Sequence, residues 1–287
     1  MKASQSLFVD IRGMRCHCRV WGPESAPRLF LLHGWMDCSA SFQFLVDAFH
    51  REWRVIAPDW RGFGESEWGG EESYWYPDYL ADLDALLRHF QLEAPVCLVG
   101  HSLGGNVAAF YSGTRPARVA KLVNLEGFGL ARNDPSEAPA SYARWLDALA
   151  TEARLRDYVS FDALADRLQK NNPRLKRERA EFLGRHWGRE EGARVVLRVD
   201  PRHKRGSPVP FRLDEAMACW RNIAAPVLWI EGAESENFAR HRLRPEDCAA
   251  RKACFRNRSE HVLPGAGHML HHDQPERLAS LIEAFLV

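Results

Sequence analysis

The sequence predicts an α/β fold: a doubly wound, mostly parallel sheet with helices on both faces and one inserted helical segment. Three observations predict it. Short, nearly continuous apolar runs recur along the 287 residues, which is the pattern of strands buried on both faces. Amphipathic stretches of helical period lie between them. The alternation lapses once, from about residue 128 to 217, where helical patterns follow one another with no convincing buried strand.

Taken in order, SLFVDIRGMRCHCRVWG (6–22) alternates and turns near Gly13, so it reads as an antiparallel hairpin ahead of the sheet. RLFLLHG (28–34), RVIAPDW (54–60), APVCLVG (94–100), AKLVNLEG (120–127) and APVLWIEG (225–232) read as buried strands, and HVLPG (261–265) as a weaker sixth. PDYLADLDALLRHF (77–90) places Leu80, Leu83, Leu87 and Phe90 on one stripe, with Pro77 suited to a first helical turn. DQPERLASLIEAFL (273–286) opens with Asp273 and Glu276 at capping-box spacing, followed by a stripe of Leu278, Leu281, Ile282 and Phe285. Between the strands at 120–127 and 225–232 stand helical stretches such as SYARWLDALATEARLRDYV and SFDALADRLQK, separated by NNPR and SPVP. The expected division is a sheet core from 1–127 and 218–287, with an insertion at 128–217.

Composition narrows the function classes. The net charge of +1 gives no global field for nucleic acid or a membrane surface. No apolar stretch approaches the roughly 18 residues that span a bilayer, and MKASQSLFVD does not read as a secretory signal. Arginines crowd RLKRERAEF and DPRHKRG; interleaved glutamates suggest a solvated helical face, and the sharper alternative is a mouth that attracts anionic substrates. The seven cysteines fit neither a disulfide framework nor a zinc knuckle. Cys16 and Cys18 alternate onto one strand face and would need two more ligands to hold a metal, and Cys97 reads as a small core residue. The expected compartment is the cytoplasm, with no cofactor and no metal. The expected partner is a small-molecule substrate; oligomeric state leaves no signal.

One motif carries chemistry. In LVGHSLGGN (98–106), Gly100-His101-Ser102-Leu103-Gly104 follows an apolar strand and opens a helix, the strand–turn–helix context that G-x-S-x-G requires. A tight turn there lifts the Ser102 hydroxyl above the sheet edge, and the helix N-terminus behind it supplies a partial positive field. Ser102 is therefore the candidate nucleophile, and the backbone N–H of Leu103, directly after it, a candidate oxyanion donor.

With these residues the chain resembles the serine members of the α/β-hydrolase fold superfamily. LLHGWMD (31–37) resembles their His-Gly oxyanion loop, APDWRGFGES (57–66) their D-x-R-G-x-G-x-S turn, and LPGAGHMLHHDQPE (263–276) the loop carrying the catalytic histidine. The insertion falls where the family places its cap. The resemblance covers nearly the whole chain and implies His268 as base, with the Trp35 backbone as second oxyanion donor and its side chain as possible pocket wall. It also implies loop-fixing roles for Asp37 and Asp59. His33 and His101 are expected in structural hydrogen bonds, and His271 and His272 at the surface of a starting helix.

The triad acid is the open question. Much of the superfamily keeps it three residues past the glycine that ends the strand after the cap. Here that glycine is Gly232 and the position is Ser235, which cannot carry the charge. Some members place the acid after the strand that follows the nucleophile helix, where this chain has Glu126. Glu126 is the expected acid, Glu234 the alternative, Glu236 a further option, and a triad with no direct acid stays open. Glu231 and Glu236 are otherwise expected in solvent. The implied function is hydrolysis of a small or medium carboxylic ester, lactone or thioester through an acyl-enzyme. The alternatives are carbon–carbon bond hydrolysis of ketonic substrates and a non-catalytic ligand receptor. Tyr142, Trp145, Phe161, Phe182 and Trp187 of the insertion could line an apolar cavity or form the insertion's own core.

Overall fold

Alternating side chains of the apolar runs point to opposite faces of one sheet and bury two separate cores. The computed structural model describes residues 1–70, 73–91, 94–209, 211–236 and 243–287. Its first strands, β1 (Ser4–Ile11) and β2 (Met14–Trp21), pair antiparallel as the expected hairpin. β3 (Arg28–Leu32), β4 (Arg54–Pro58), β5 (Val96–His101) and β6 (Val119–Leu125) follow, each on a predicted run. β7 (Gly188–Glu191) and β8 (Arg194–Leu197) lie in the insertion; β9 (Val227–Gly232) and β10 (Arg258–Leu263) close the sheet. The strand order is β1-β2-β4-β3-β5-β6-β9-β10, with the pairs from β4 onward parallel.

The helices named here are α1 (Gln43–Ala48), α2 (Tyr76–Phe90), α3 (Leu103–Thr114), α4 (Ala138–Leu149), α5 (Phe161–Asn171) and α6 (Arg177–Trp187). They continue as α7 (Leu213–Arg221), α8 (Pro245–Lys252), α9 (Leu270–Asp273) and α10 (Pro275–Leu286). Phe30, Leu32, Leu98, Leu122, Val227 and Trp229 face one core, which α2, α3 and α7 cover. Leu29, Leu31, Val99, Val123, Leu228 and Ile230 face the other, covered by α1 and α10. This period-2 division is what a sheet wound on both faces requires. Truncating one such buried leucine to alanine costs about 2–5 kcal/mol. No helix among the described residues is long and apolar enough to cross a membrane.

Residues 128–217 contain α4, α5, α6 and the start of α7, but also the two-stranded β7–β8 hairpin. The hairpin is mostly exposed, so it lacks the apolar run that marks a buried strand. Tyr158, Leu164, Ala165, Leu168, Leu175, Ala180, Leu183 and Val195 make a third core with Phe44, beside which Phe161, Phe182 and Trp187 pack. α4 buries no residue, and Tyr142 on it is exposed, lining neither core nor cavity.

Three sequence expectations are corrected. His271 and His272 are buried rather than at the surface: they form the separate short α9, and Ser41 Oγ lies 2.9 Å and 2.5 Å from their Nε2 atoms. Glu231 is buried too, because Trp229 Nε1 donates to it at 2.8 Å and Lys252 pairs with it. Asp273 makes no capping box, since the last helix starts at Pro275 with Gln274 as its cap residue. Its carboxylate instead accepts the Gly267 N–H at 2.8 Å and Asn172 Nδ2 at 2.7 Å, tying the loop before His268 to the insertion.

Candidate active site

The elbow is built by crowding. Ser102 follows β5 and precedes α3 with φ 51°, a left-handed conformation that costs a non-glycine residue about 1–3 kcal/mol. A Cβ on Gly100 would stand 2.4 Å from the Gly104 carbonyl oxygen, and one on Gly104 2.1 Å from that of Leu32. Only glycine lets the strand, turn and helix approach this closely. The Ser102 N–H donates to Leu125 O at 2.8 Å, locking the elbow to β6. Leu103 is the first residue of α3, so its N–H has no partner within the helix and is aimed outward from the helix start.

Across from the elbow, the loop after β3 carries Trp35. A Cβ on Gly34 would meet His101 Nδ1 at 2.9 Å and Ser102 Cβ at 3.3 Å, so the loop lies directly against the elbow. The Trp35 side chain is half exposed and lines the cavity, with Lys204 Nζ 4.7 Å from its ring centroid. His33 holds the loop as expected: its Nδ1–H donates to Gly34 O at 2.7 Å and its Nε2 accepts the Trp60 N–H at 2.9 Å. That bonding is the neutral tautomer, and burial lowers its pKa in the same sense. Asp59 likewise anchors its turn, accepting from Ser39 N at 2.6 Å and Glu65 N at 2.9 Å, with His17 Nδ1 at 2.7 Å. Burial alone would raise the Asp59 pKa, but the bonded His17 holds it well below the ordinary carboxylate range. His17, an alternating residue of a hairpin strand, carries no signal in the sequence of this distant partner.

The geometry separates the candidate acids. Glu126 sits just past β6 with φ 58° and its side chain fully buried. Its Oε1 accepts the Gly232 N–H at 2.8 Å, and its Oε2 accepts the Ser235 hydroxyl at 2.6 Å. His268 Nδ1 lies 3.2 Å from that same Oε2. Glu234 is turned elsewhere: Arg174 Nε donates to its Oε2 at 2.7 Å, and its side chain is half exposed. Glu236 is exposed at the cavity wall, as expected. Among the described residues, four non-glycine positions have φ in the left-handed region: Arg12, Met36, Ser102 and Glu126. Three of them line one cavity, so backbone strain concentrates at the site.

His101 braces the histidine loop from beneath. Its Nε2 lies 2.8 Å from the His268 carbonyl oxygen, which only accepts, so Nε2 carries the proton. Burial, with His271 and His268 nearby, drives the His101 pKa well down and keeps the ring neutral. Asp37, His101 and His271 each bring a potential ligand atom within 4.8 Å of the others, a donor set that suits a small divalent cation. Their existing bonds give them a structural use: Asp37 Oδ1 accepts the Cys38 N–H at 2.8 Å, and His271 meets Ser41. All seven cysteines are free.

A cavity of about 1130 Å³ joins these parts; Trp35, Ser102, Leu103, Glu126, Glu234 and His268 all line it. The insertion supplies much of its wall, through residues 154–175 and 183–204.

Comparison with known proteins agrees with this architecture. A family model described as the alpha/beta hydrolase fold matches residues 27–275. A serine hydrolase-like protein of Danio rerio is 27% identical over 277 residues, covering 93% of this chain and 84% of the relative. The 3-hydroxybutyrate-oligomer hydrolase of Cupriavidus necator is 26% identical, covering 90% of this chain and 88% of that protein. The solved thioesterase domain from the curacin biosynthetic pathway superposes with a TM-score of 0.88 at 25% identity, covering 98% of this chain and 99% of that one.

Proposed function

Because this chain belongs to the α/β-hydrolase fold family, we propose that it is a serine hydrolase that cleaves a small or medium carboxylic ester, lactone or thioester through an acyl-enzyme on Ser102. One observation carries the reading: a buried carboxylate, Glu126, lies 3.2 Å from His268 Nδ1 beside a nucleophile-elbow serine lining the same cavity. With Nδ1–H donated to Glu126, His268 keeps Nε2 as the basic nitrogen. Ser102 Oγ attacks the substrate carbonyl while His268 Nε2 takes its proton. The backbone N–H groups of Trp35 and Leu103 receive the oxyanion. Collapse of the tetrahedral species expels the leaving group, which takes the proton back from His268. Water, deprotonated by the same nitrogen, then releases the acid and restores Ser102. Glu126 stays ionised throughout and stabilises the imidazolium.

In this reading residues 128–217 serve as a cap that walls the cavity and selects the substrate. The 3-hydroxybutyrate-oligomer hydrolase and the thioesterase domain named above support the acyl chemistry. The test is pre-steady-state hydrolysis of a p-nitrophenyl ester with intact-mass detection. The wild type gives a burst and a Ser102 acyl adduct, and Ser102→Ala gives neither. A burst of normal size in Ser102→Ala would sink the proposal.

A further inference from the structure

The cavity mouth carries a charge imbalance that the hydrolytic chemistry does not use. The chain as a whole has 39 lysines and arginines against 38 acids. Among the described residues, the cavity wall has seven arginines and lysines against four carboxylates. Asp37 and Glu126 lie buried on the floor, and Glu126 is committed to His268. Glu234 is neutralised by Arg174, and the cavity's Arg154 pairs with Glu152. Arg156, Arg167, Lys170, Arg198 and Lys204 remain against the one other cavity carboxylate, the exposed Glu236, and none of the five pairs with a carboxylate among the described residues.

A solvated face looks different, and the same insertion provides the comparison. Arg177 of α6 meets Asp162, Asp166 and Glu181, all exposed. The five cavity cations instead come from separate segments: the loop before Tyr158, α5, the end of β8 and the turn at Pro201–Lys204. They converge on one concave space, and Lys204 stands over the ring of Trp35 on the oxyanion loop. Like charges gathered in a cleft repel one another, and a bound anion offsets that cost.

We propose that the cavity mouth is an anion subsite that takes a carboxylate or phosphate carried by the substrate away from its scissile carbonyl. The proposal rests on the hydrolase reading and adds the substrate class: half-esters of dicarboxylic acids, or thioesters on a phosphate-bearing carrier such as coenzyme A.

Matched substrates test it. The p-nitrophenyl ester of monoanionic glutarate is compared with that of its neutral methyl ester, and butyryl-coenzyme A with neutral S-butyryl-N-acetylcysteamine. Each exposed ion pair is worth about two- to fivefold, so several together predict a kcat/KM ratio of about tenfold or more for the charged member of at least one pair. That ratio should fall towards unity by about 0.5 M salt. It should also drop at least about threefold, mainly through KM, in Arg167→Gln/Lys170→Gln and in Lys204→Gln. The pair showing the preference identifies carboxylate or phosphate. Equal kcat/KM within both pairs, or a preference unmoved by salt and by both variants, overturns the subsite. If no substrate turns over, the hydrolase reading fails separately. The subsite is then read by titrating glutarate and coenzyme A into Ser102→Ala and following tryptophan fluorescence. Saturable, salt-sensitive binding of either supports it, and no binding of either at millimolar concentration overturns it.

Discussion

Glu126 combines full burial, a left-handed backbone and hydrogen bonds with Gly232, Ser235 and His268 around one carboxylate. An ionised side chain is kept in such a place only when its neighbours compensate the lost solvation. Gly232, at the end of β9, and Ser235, just past it, do so: the Gly232 N–H holds Oε1, and the Ser235 hydroxyl shares Oε2 with His268. Ser235 thus stands where many relatives are expected to hold the acid, yet donates to an acid that arrives from β6. Replacing Glu126 by Gln should lower kcat by roughly 10² or more, the effect of losing a triad acid. Glu234→Gln should change kcat less than about threefold, because its carboxylate serves an exposed ion pair. Since the Ser235 hydroxyl is 2.6 Å from Glu126 Oε2, an acid at 235 reaches nearly the same point. Ser235→Asp in the Glu126→Gln background should recover about tenfold of the lost kcat; no recovery in steady-state assays would count against the shared position.

At the level of elements, the site depends on close approaches that substitution should disturb in graded ways. Gly104→Ala drives a Cβ to 2.1 Å from backbone of β3, so it should destabilise the fold by about 3 kcal/mol or more in urea unfolding. Gly13→Ala meets open space and bears only its φ of 76°, so it should cost about 1 kcal/mol. The histidine loop has its own staple in Asp273, which binds Gly267 N and Asn172 of the insertion. Asp273→Ala should lower kcat about tenfold while shifting unfolding little, because a small misplacement of a catalytic group is costly to rate. A matching loss of kcat and of stability would point to general unfolding instead.

For the whole molecule, buried neutral histidines set the acid limit. His33, His101, His203 and His272 all have lowered pKa values, with burial the main cause in each. His203 is pushed down to about 3. The unfolded chain takes up its proton near pH 6.5, the folded protein only near 3, so stability is lost as pH falls through that interval. His203 alone should remove about 2 kcal/mol by pH 5. Chemical unfolding at pH 7.5 and 5 should show a smaller difference in His203→Asn than in the wild type. The sheet strands were legible in the sequence because both faces of each are buried, leaving unbroken apolar runs such as Leu29–Leu32. The elbow around Ser102 is legible because turn chemistry writes glycines beside it, whereas His268 follows only from the resemblance of its loop to the family's histidine loop. His271, His272, Glu231 and Asp273 were not legible, because a polar residue's burial depends on distant partners such as Ser41, Lys252 and Gly267. The β7–β8 hairpin was missed because an exposed strand leaves no apolar signature.

The central claim, that Ser102 is activated by His268 held on Glu126, is tested most directly by the rate at which a fluorophosphonate labels Ser102. The account predicts stoichiometric modification of Ser102 in the wild type, slowed about 10²-fold in Glu126→Gln and less than about threefold in Glu234→Gln. Undiminished labelling in Glu126→Gln, or the large loss falling on Glu234→Gln, would contradict it.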